Sequence, residues 1–220
     1  MKISVNIASQ PKRLDSLIQA IESFQRQTVK PDVIRVWWNG DVKPNIDGVE
    51  IMSGDNLTDN GKFAFVRPNE IYFTADDDIL YPTDYIEHTL ERLHVYPECI
   101  LTYHGRRLSG KGVRYYAGHT SYACLGHVGQ DEIIDVPGTG VMCFNTNHFI
   151  PEVLRYGQNR MADVLAGLEA VRQNVQIICL AHGMGWIRDN SPDGGIYTEA
   201  RQNDAVQSKL CDKLYDNKLT

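Results

Sequence analysis

The sequence predicts an α/β fold, a mostly parallel sheet flanked by helices, with a small hairpin or loop region added on. Three observations carry that expectation. Short apolar runs alternate with stretches of helical periodicity over the first hundred residues. One run, Ile71–Ala75, is β-branched and aromatic with no charge, which suits a strand buried on both faces. It runs straight into Asp76-Asp77-Asp78, and ligands of open α/β sheets bind at the carboxyl ends of strands.

Ile3–Ala8 alternates and stops at Ser9-Gln10-Pro11, reading as a first strand ending in a loop. Leu14, Leu17, Ile18, Ile21 and Phe24 recur at helical spacing and predict an amphipathic helix to about Gln27. Val33–Trp38 is a second strand closed by Asn39-Gly40, and Val49–Met52 a weaker third. Asp55–Lys62 is polar and turn-rich and leads into Phe63–Val66, expected as a short helix. Beyond the triplet, Pro82 suits a helix start, with Ile86, Leu90 and Leu93 as its buried stripe. Ile100–Tyr103 is another strand. From His104 to Gly140 the chain is rich in Gly, Tyr and His without periodicity, which suggests hairpins or loops. Gly140–Phe144 and Val175–Leu180 read as strands around a helix marked by Val164, Leu165, Leu168 and Val171. The end of the chain mixes turn formers, then closes on a charged helical segment near Ala205–Leu214.

At 220 residues with 42% hydrophobic and 23% charged residues, the composition is that of a globular domain with a sizeable core. There is no repeat and no linker, so a single domain is expected, with 188–220 as a flexible tail or lid. A net charge of −6 argues against an extended nucleic-acid footprint. The start Met1-Lys2-Ile3 is too quickly interrupted for a signal peptide, and no apolar run is long enough for a membrane span. The five cysteines form no C-x-x-C pair. A cytoplasmic location is the expectation. His119, Cys124 and His127 lack zinc-site spacing and are set aside.

Adjacent carboxylates about 4 Å apart repel by roughly 4 kcal/mol at a protein-surface dielectric. The triplet therefore reads as a divalent-metal and nucleotide site, or else as a solvated acidic turn capping the next helix. The loop Ser9-Gln10-Pro11-Lys12-Arg13 joins a strand to a helix. Backbone donors there attract anions and Arg13 adds a planar cation, unless Arg13 is merely a solvated first-turn residue. No glycine fingerprint of the dinucleotide type is present. Residues 103–116, with His104, Arg106, Arg107, Lys111, Arg114, Tyr115 and Tyr116, form a basic, aromatic cluster. It reads as a hairpin with exposed charges, a diphosphate or acceptor contact, or a nucleic-acid patch.

Several of these pieces together resemble one family. Val5–Ala8, Ser9-x-Pro11-x-Arg13, Ser23-Phe24-x-x-Gln27-Thr28-x-Lys30-Pro31-Asp32, Lys62 and Thr74-Ala75-Asp76-Asp77-Asp78-Ile79-x-Tyr81-Pro82 look like family-2-type glycosyltransferases of the GT-A fold. The pattern is nearest to the bacterial polysaccharide-biosynthesis branch, which Met161-Ala162-Asp163-Val164 and Ile177–Leu180 also resemble. The resemblance implies that 1–103 is the nucleotide-sugar-binding half of the domain and 104–187 its acceptor or catalytic half. It also implies that Asp76 holds the donor ribose and that Asp78 and Asp76 bind a divalent cation, with Asp77 assisting. Hard oxygen ligands of this kind suit Mn²⁺ or Mg²⁺. It further implies that Ala8, Ser9, Arg13 and Lys62 line the nucleotide pocket, with Arg106 as a further donor contact and His182 as a late metal ligand. Asp163 is implied as the base of an inverting displacement. Its place in the first turn of a helix, where the macrodipole favours a carboxylate, agrees with that role and also with a plain helix start.

The reading that follows is a metal-dependent transfer from a uridine diphosphate sugar to a glycan or polysaccharide acceptor. A hydroxymethylated base in DNA is the alternative acceptor. A sugar nucleotidyltransferase would need a Gly-rich loop after the first strand, which Ser9–Arg13 lacks. A non-catalytic nucleotide- or glycan-binding protein would keep the triplet without a working base.

Overall fold

In the computed structural model the described residues are 1–157, 160–191 and 204–218. The first half alternates as expected: β1 (Lys2–Ser9), α1 (Leu14–Gln25), β2 (Val33–Trp38), β3 (Val49–Ser53), β4 (Glu70–Ala75), β5 (Ile79–Leu80), α2 (Tyr85–Val95) and β6 (Ile100–Thr102). The second half opens with short strands β7 (Gly105–Arg107), β8 (Thr120–Tyr122), β9 (Glu132–Ile134) and β10 (Val136–Pro137). It continues through β11 (Val141–Asn145), α3 (Ala162–Arg172), β12 (Ile177–Cys179), β13 (Arg188–Asp189) and α4 (Ala205–Lys218).

Eight strands form the main sheet in the order β3-β2-β1-β4-β11-β6-β12-β9. Strands β3, β2, β1 and β4 run parallel. The sheet is buried on both faces because alternate side chains enter different cores. On β4, Ile71, Phe73 and Ala75 pack toward the side of α1 and α2, where Leu17, Phe24 and Ile86 lie. Tyr72 faces the other way, among Leu165, Leu168 and Leu214 of α3 and α4. Within the run Val33–Trp38 sits Arg35, fully buried, which donates to both oxygens of Glu70 at 2.9 and 2.8 Å. Each charge has a bidentate partner, so neither is left uncompensated in the interior.

Two strands break the parallel pattern, the edge strand β9 beside β12 and, inside the sheet, β11. β11 lies antiparallel between β4 and β6, with Val141 opposite Ala75. Antiparallel pairing brings the beginning of β11 to the carboxyl end of β4, so Thr139 and Gly140 arrive beside the acidic triplet. The hairpins expected over 104–140 form a small antiparallel sheet, β10-β7-β8.

Two expectations need correction. The helical turn forms at Thr58–Phe63 rather than Phe63–Val66. Asn39 fixes it there, accepting from Leu57 N at 3.0 Å and donating to the Thr58 carbonyl at 3.1 Å. Trp37 then packs so tightly on Gly61 that a Cβ there would lie 2.4 Å from the indole. The second correction concerns the tail. The helical segment expected near Ala205–Leu214 forms as α4, but it packs on α3 with Cys211 and Leu214 buried in the core instead of hanging free as a tail. The lid residues expected at Asp193-Gly194-Gly195, Tyr197 and Arg201 lie outside the described residues. No helix among the described residues is long and apolar enough to cross a membrane.

Candidate active site

The carboxyl ends of β1 and β4, the Thr58–Phe63 turn and the start of α3 surround one cavity of about 720 Å³. Ala8, Ser9, Arg13, Lys62, the triplet and Asp163 all line it. These positions come from the ends of β1 and β4, two short helical turns and the first turn of α3, and they meet only in the folded chain.

Each carboxylate of the triplet has a separate partner. Asp76 Oδ1 pairs with Lys62 Nζ, Asp77 Oδ2 accepts from Ser9 Oγ at 2.5 Å, and Asp78 Oδ2 accepts from Arg13 Nη1 at 2.9 Å. These partners do not fully offset the crowding. Burial first, then Asp78 and Asp76, push the Asp77 carboxyl up to about 7 against the opposing pull of Ser9 and Arg13. Burial and the neighbouring Asp76 likewise raise Asp78. Tyr81 fixes the strand end: its hydroxyl accepts from Asp76 N at 2.8 Å and donates to the Gly140 carbonyl at 2.6 Å. Gly140 leaves the space that Asp76 fills, since a Cβ there would stand 2.0 Å from Asp76 Oδ2.

Lys62 is 1% exposed. Burial works against its charge, but Asp76, with Asp59 and Asp163, outweighs that and holds the ammonium above its ordinary value. Its Nζ also lies 3.5 Å from the Thr139 carbonyl. Thr139 in turn donates to Asp163 Oδ1 twice, from N at 2.8 Å and from Oγ1 at 2.7 Å. Both donors hold one oxygen of Asp163, so a fixed carboxylate lines the cavity. Asp59, raised by burial despite Lys62, accepts from Ala162 N at 3.1 Å and so ties the start of α3 to the Thr58–Phe63 turn.

No protein-family model and no curated protein matches the chain. Among solved structures, residues 1–349 of S. aureus TarS superpose with a TM-score of 0.54 at 10% identity, over 100% of this chain and 71% of that one. The same TarS segment in complex with UDP gives a TM-score of 0.49 at 10% identity, over 84% of this chain and 59% of that one. The chain thus spans 59% of the length of that UDP-bound structure. The fold is GT-A.

Two expected site residues are not part of the GT-A cavity. His182 exchanges backbone hydrogen bonds with Val128, which turns its ring away. Its Nδ1 is 2.8 Å from the Leu180 carbonyl, its Nε2 is 3.2 Å from the Ala123 carbonyl, and its ring stands edge-on to Tyr103. Both nitrogens thus face backbone carbonyls, and His182 does not line the cavity. Arg106 is 7% exposed and stacks on Tyr115, 4.2 Å from the ring centroid, while donating to its hydroxyl at 3.0 Å. The tyrosines line the cavity and Arg106 does not.

Among the described residues no group of three or more His, Cys, Asp or Glu side chains forms a ready metal cage. What the cavity does offer is Asp76 and Asp78, each with one oxygen committed to a cation and side chains 39% and 27% exposed. Two hard carboxylates, with burial and then the neighbouring Asp76 raising Asp78, fit a cation that completes its shell with phosphate oxygens and water, as Mg²⁺ does. Sequence reasoning passed over Asp59, Thr139 and Gly140. Asp59 had a usable signal, three residues before Lys62 on one helical turn. The other two owe their roles to strand pairing.

Proposed function

We propose that this chain transfers a sugar from a nucleoside diphosphate sugar, with uridine as the base, to an acceptor hydroxyl with inversion. The observation that supports it is the sharing of one cavity by the paired acidic triplet and the Thr139-oriented Asp163. Asp163 Oδ2 takes the proton of the acceptor hydroxyl as that oxygen bonds to the anomeric carbon. The bond from the anomeric carbon to the diphosphate oxygen breaks, and its electron pair leaves with the nucleoside diphosphate. Arg13 and Lys62 supply positive charge beside that leaving group. Asp76 and Asp78 would hold a divalent cation, and such a cation neutralises charge developing on a departing diphosphate.

A DNA acceptor finds less support. Of the cations in residues 103–116, Arg107 pairs with Glu132, Lys111 with Asp216 and Arg114 with Asp204. The cluster is therefore largely neutralised, whereas phosphate binding depends on cations that release counterions. The testing experiment is a screen of nucleotide sugars for Mn²⁺-dependent release of nucleoside diphosphate, with calorimetry of UDP and Mn²⁺ on Asp78→Asn. Loss of metal-dependent nucleotide affinity is expected. Unchanged affinity in that variant would reject the role given to Asp78.

A further inference from the structure

Besides the triplet and Asp163, the cavity is lined by Tyr115, Tyr116 and, from α4, Gln207. That wall is built by contacts distant in sequence. Asp204 accepts from Arg114 Nε and from Tyr116 N, both at 3.1 Å, and Ser208 Oγ accepts from Tyr115 N at 2.9 Å. Arg106 is stacked on both rings without entering the cavity, its guanidinium 4.2 Å from the Tyr115 centroid and 5.2 Å from that of Tyr116. The tyrosines are thus held rigidly in place beside the catalytic end. Tyr115 is close enough to Asp163 for that carboxylate to add to the effect of burial, which holds its hydroxyl well above the ordinary value.

Gln207 is 8% exposed, and its Oε1 has no hydrogen-bond partner among the described residues. Buried acceptors are nearly always matched, so an unmatched one in a cavity wall calls for a donor from outside the protein. Three cations around this wall are paired, Arg107 with Glu132, Lys111 with Asp216 and Arg114 with Asp204, and Arg106 is engaged by the two tyrosine rings and the Tyr115 hydroxyl. What it offers is aromatic surface and an amide acceptor. Those features suit a polyol with apolar C–H faces and hydroxyl donors, and they give a phosphate or carboxylate nothing to pair with.

We propose that Tyr115, Tyr116 and Gln207 form the acceptor subsite and that its occupant is a neutral sugar ring, one hydroxyl of which donates to Gln207 Oε1. This deepens the glycosyltransferase reading and rests on it. The C–H face of the ring packs on the tyrosine pair, and another hydroxyl is carried toward Asp163. Because α4 supplies Gln207, the carboxyl-terminal helix is part of the specificity machinery.

Saturation-transfer NMR with methyl glycosides of glucose, galactose and N-acetylglucosamine, with and without UDP and Mn²⁺, tests this. At least one probe should receive saturation at its ring C–H protons. Gln207→Leu and Tyr116→Ala should each weaken that probe about fivefold or more, the scale of one lost hydrogen bond or stacking contact. Tyr116→Phe should retain it. Gln207→Leu should also melt no lower than the parent, because it removes an unmatched acceptor while keeping the packing. UDP affinity should be the same in all variants. Sugar binding that is indifferent to Gln207→Leu overturns the proposal, as does the absence of saturation in every probe. So does competition by a hydroxymethylcytosine oligonucleotide where sugars fail. Loss of UDP binding to the parent protein would instead sink the donor reading, a separate outcome read by calorimetry.

Discussion

Replacing Lys62 by methionine keeps a buried side chain of similar length and removes the cation shared by Asp76, Asp59 and Asp163. Breaking a buried pair from one side costs about 3–5 kcal/mol, because the remaining charge loses its partner in a poor solvent. Asp76 is 39% exposed, so water takes up part of that loss, and we work with about 2–3 kcal/mol. Asp59 contributes to the same sum, since Lys62 is the largest of the effects opposing its burial. For a chain of this size each kcal/mol moves Tm by about 2–4 °C, so the variant should melt about 5–10 °C lower in calorimetry. Binding should change in opposite directions. Losing a cation from an acidic site favours Mn²⁺ alone and disfavours the nucleoside diphosphate, and isothermal titration of each reads the two signs. A Tm within about 2 °C of the parent together with unchanged UDP affinity would refute the reasoning.

Thr139→Val removes one of the two donors to Asp163 Oδ1 and should lower kcat about tenfold with donor KM unchanged, while Asp163→Asn should lower turnover by about 10²-fold or more. Normal turnover in Asp163→Asn would mean another base. Asp77 gives a pH prediction: its carboxyl titrates at about 7 in the fold against 3.8 ordinarily, so between those values the folded state holds the extra proton and stability is lost as pH rises. Asp77→Asn should flatten that fall in Tm between about pH 4 and 7, and a profile parallel to the parent's would contradict it. Gly140→Ala puts a Cβ where Asp76 Oδ2 lies, so Mn²⁺-dependent UDP affinity should drop about tenfold or more, as for a displaced ligand group. Equal affinity would show that Asp76 can move without consequence.

What could be read from the chain was what local chemistry determines. β1, α1, β2, β4 and α2 were legible because apolar residues recur at the period of each element, and the triplet stood out because three acids end a strand of uncharged residues. Arg35 was hidden in the run Val33–Trp38, since its partner Glu70 belongs to a strand on the far side of β1. The helix of α4 was legible, but its packing was not: its buried stripe of Gln207, Cys211 and Leu214 has one polar member and flanking charges, which look solvated. His182 and Arg106 were misplaced for a related reason. Both follow strands, as site residues do, yet backbone pairing with Val128 and stacking on Tyr115 direct them elsewhere.

The reversal of β11 explains why the two ends of the cavity are not independent. Had that strand joined β4 in parallel, its far end would lie beside the triplet and the turn before it at the opposite edge of the sheet. Because it runs antiparallel, the turn Gly138–Gly140 is tied to both sides of the cavity. The Gly138 carbonyl accepts from Thr102 Oγ1 at 3.1 Å and anchors the turn to β6. Thr139 faces both ways, its carbonyl toward Lys62 and its N–H and hydroxyl on Asp163. Gly140 provides the room for Asp76 and the carbonyl that orients Tyr81. A displacement of this turn by a few tenths of an ångström therefore moves Asp76 and Asp163 together, which preserves their separation better than two unconnected loops would. In this protein the placement of Asp163 relative to the acidic triplet is set by strand direction, through the turn that Thr139 and Gly140 form before β11.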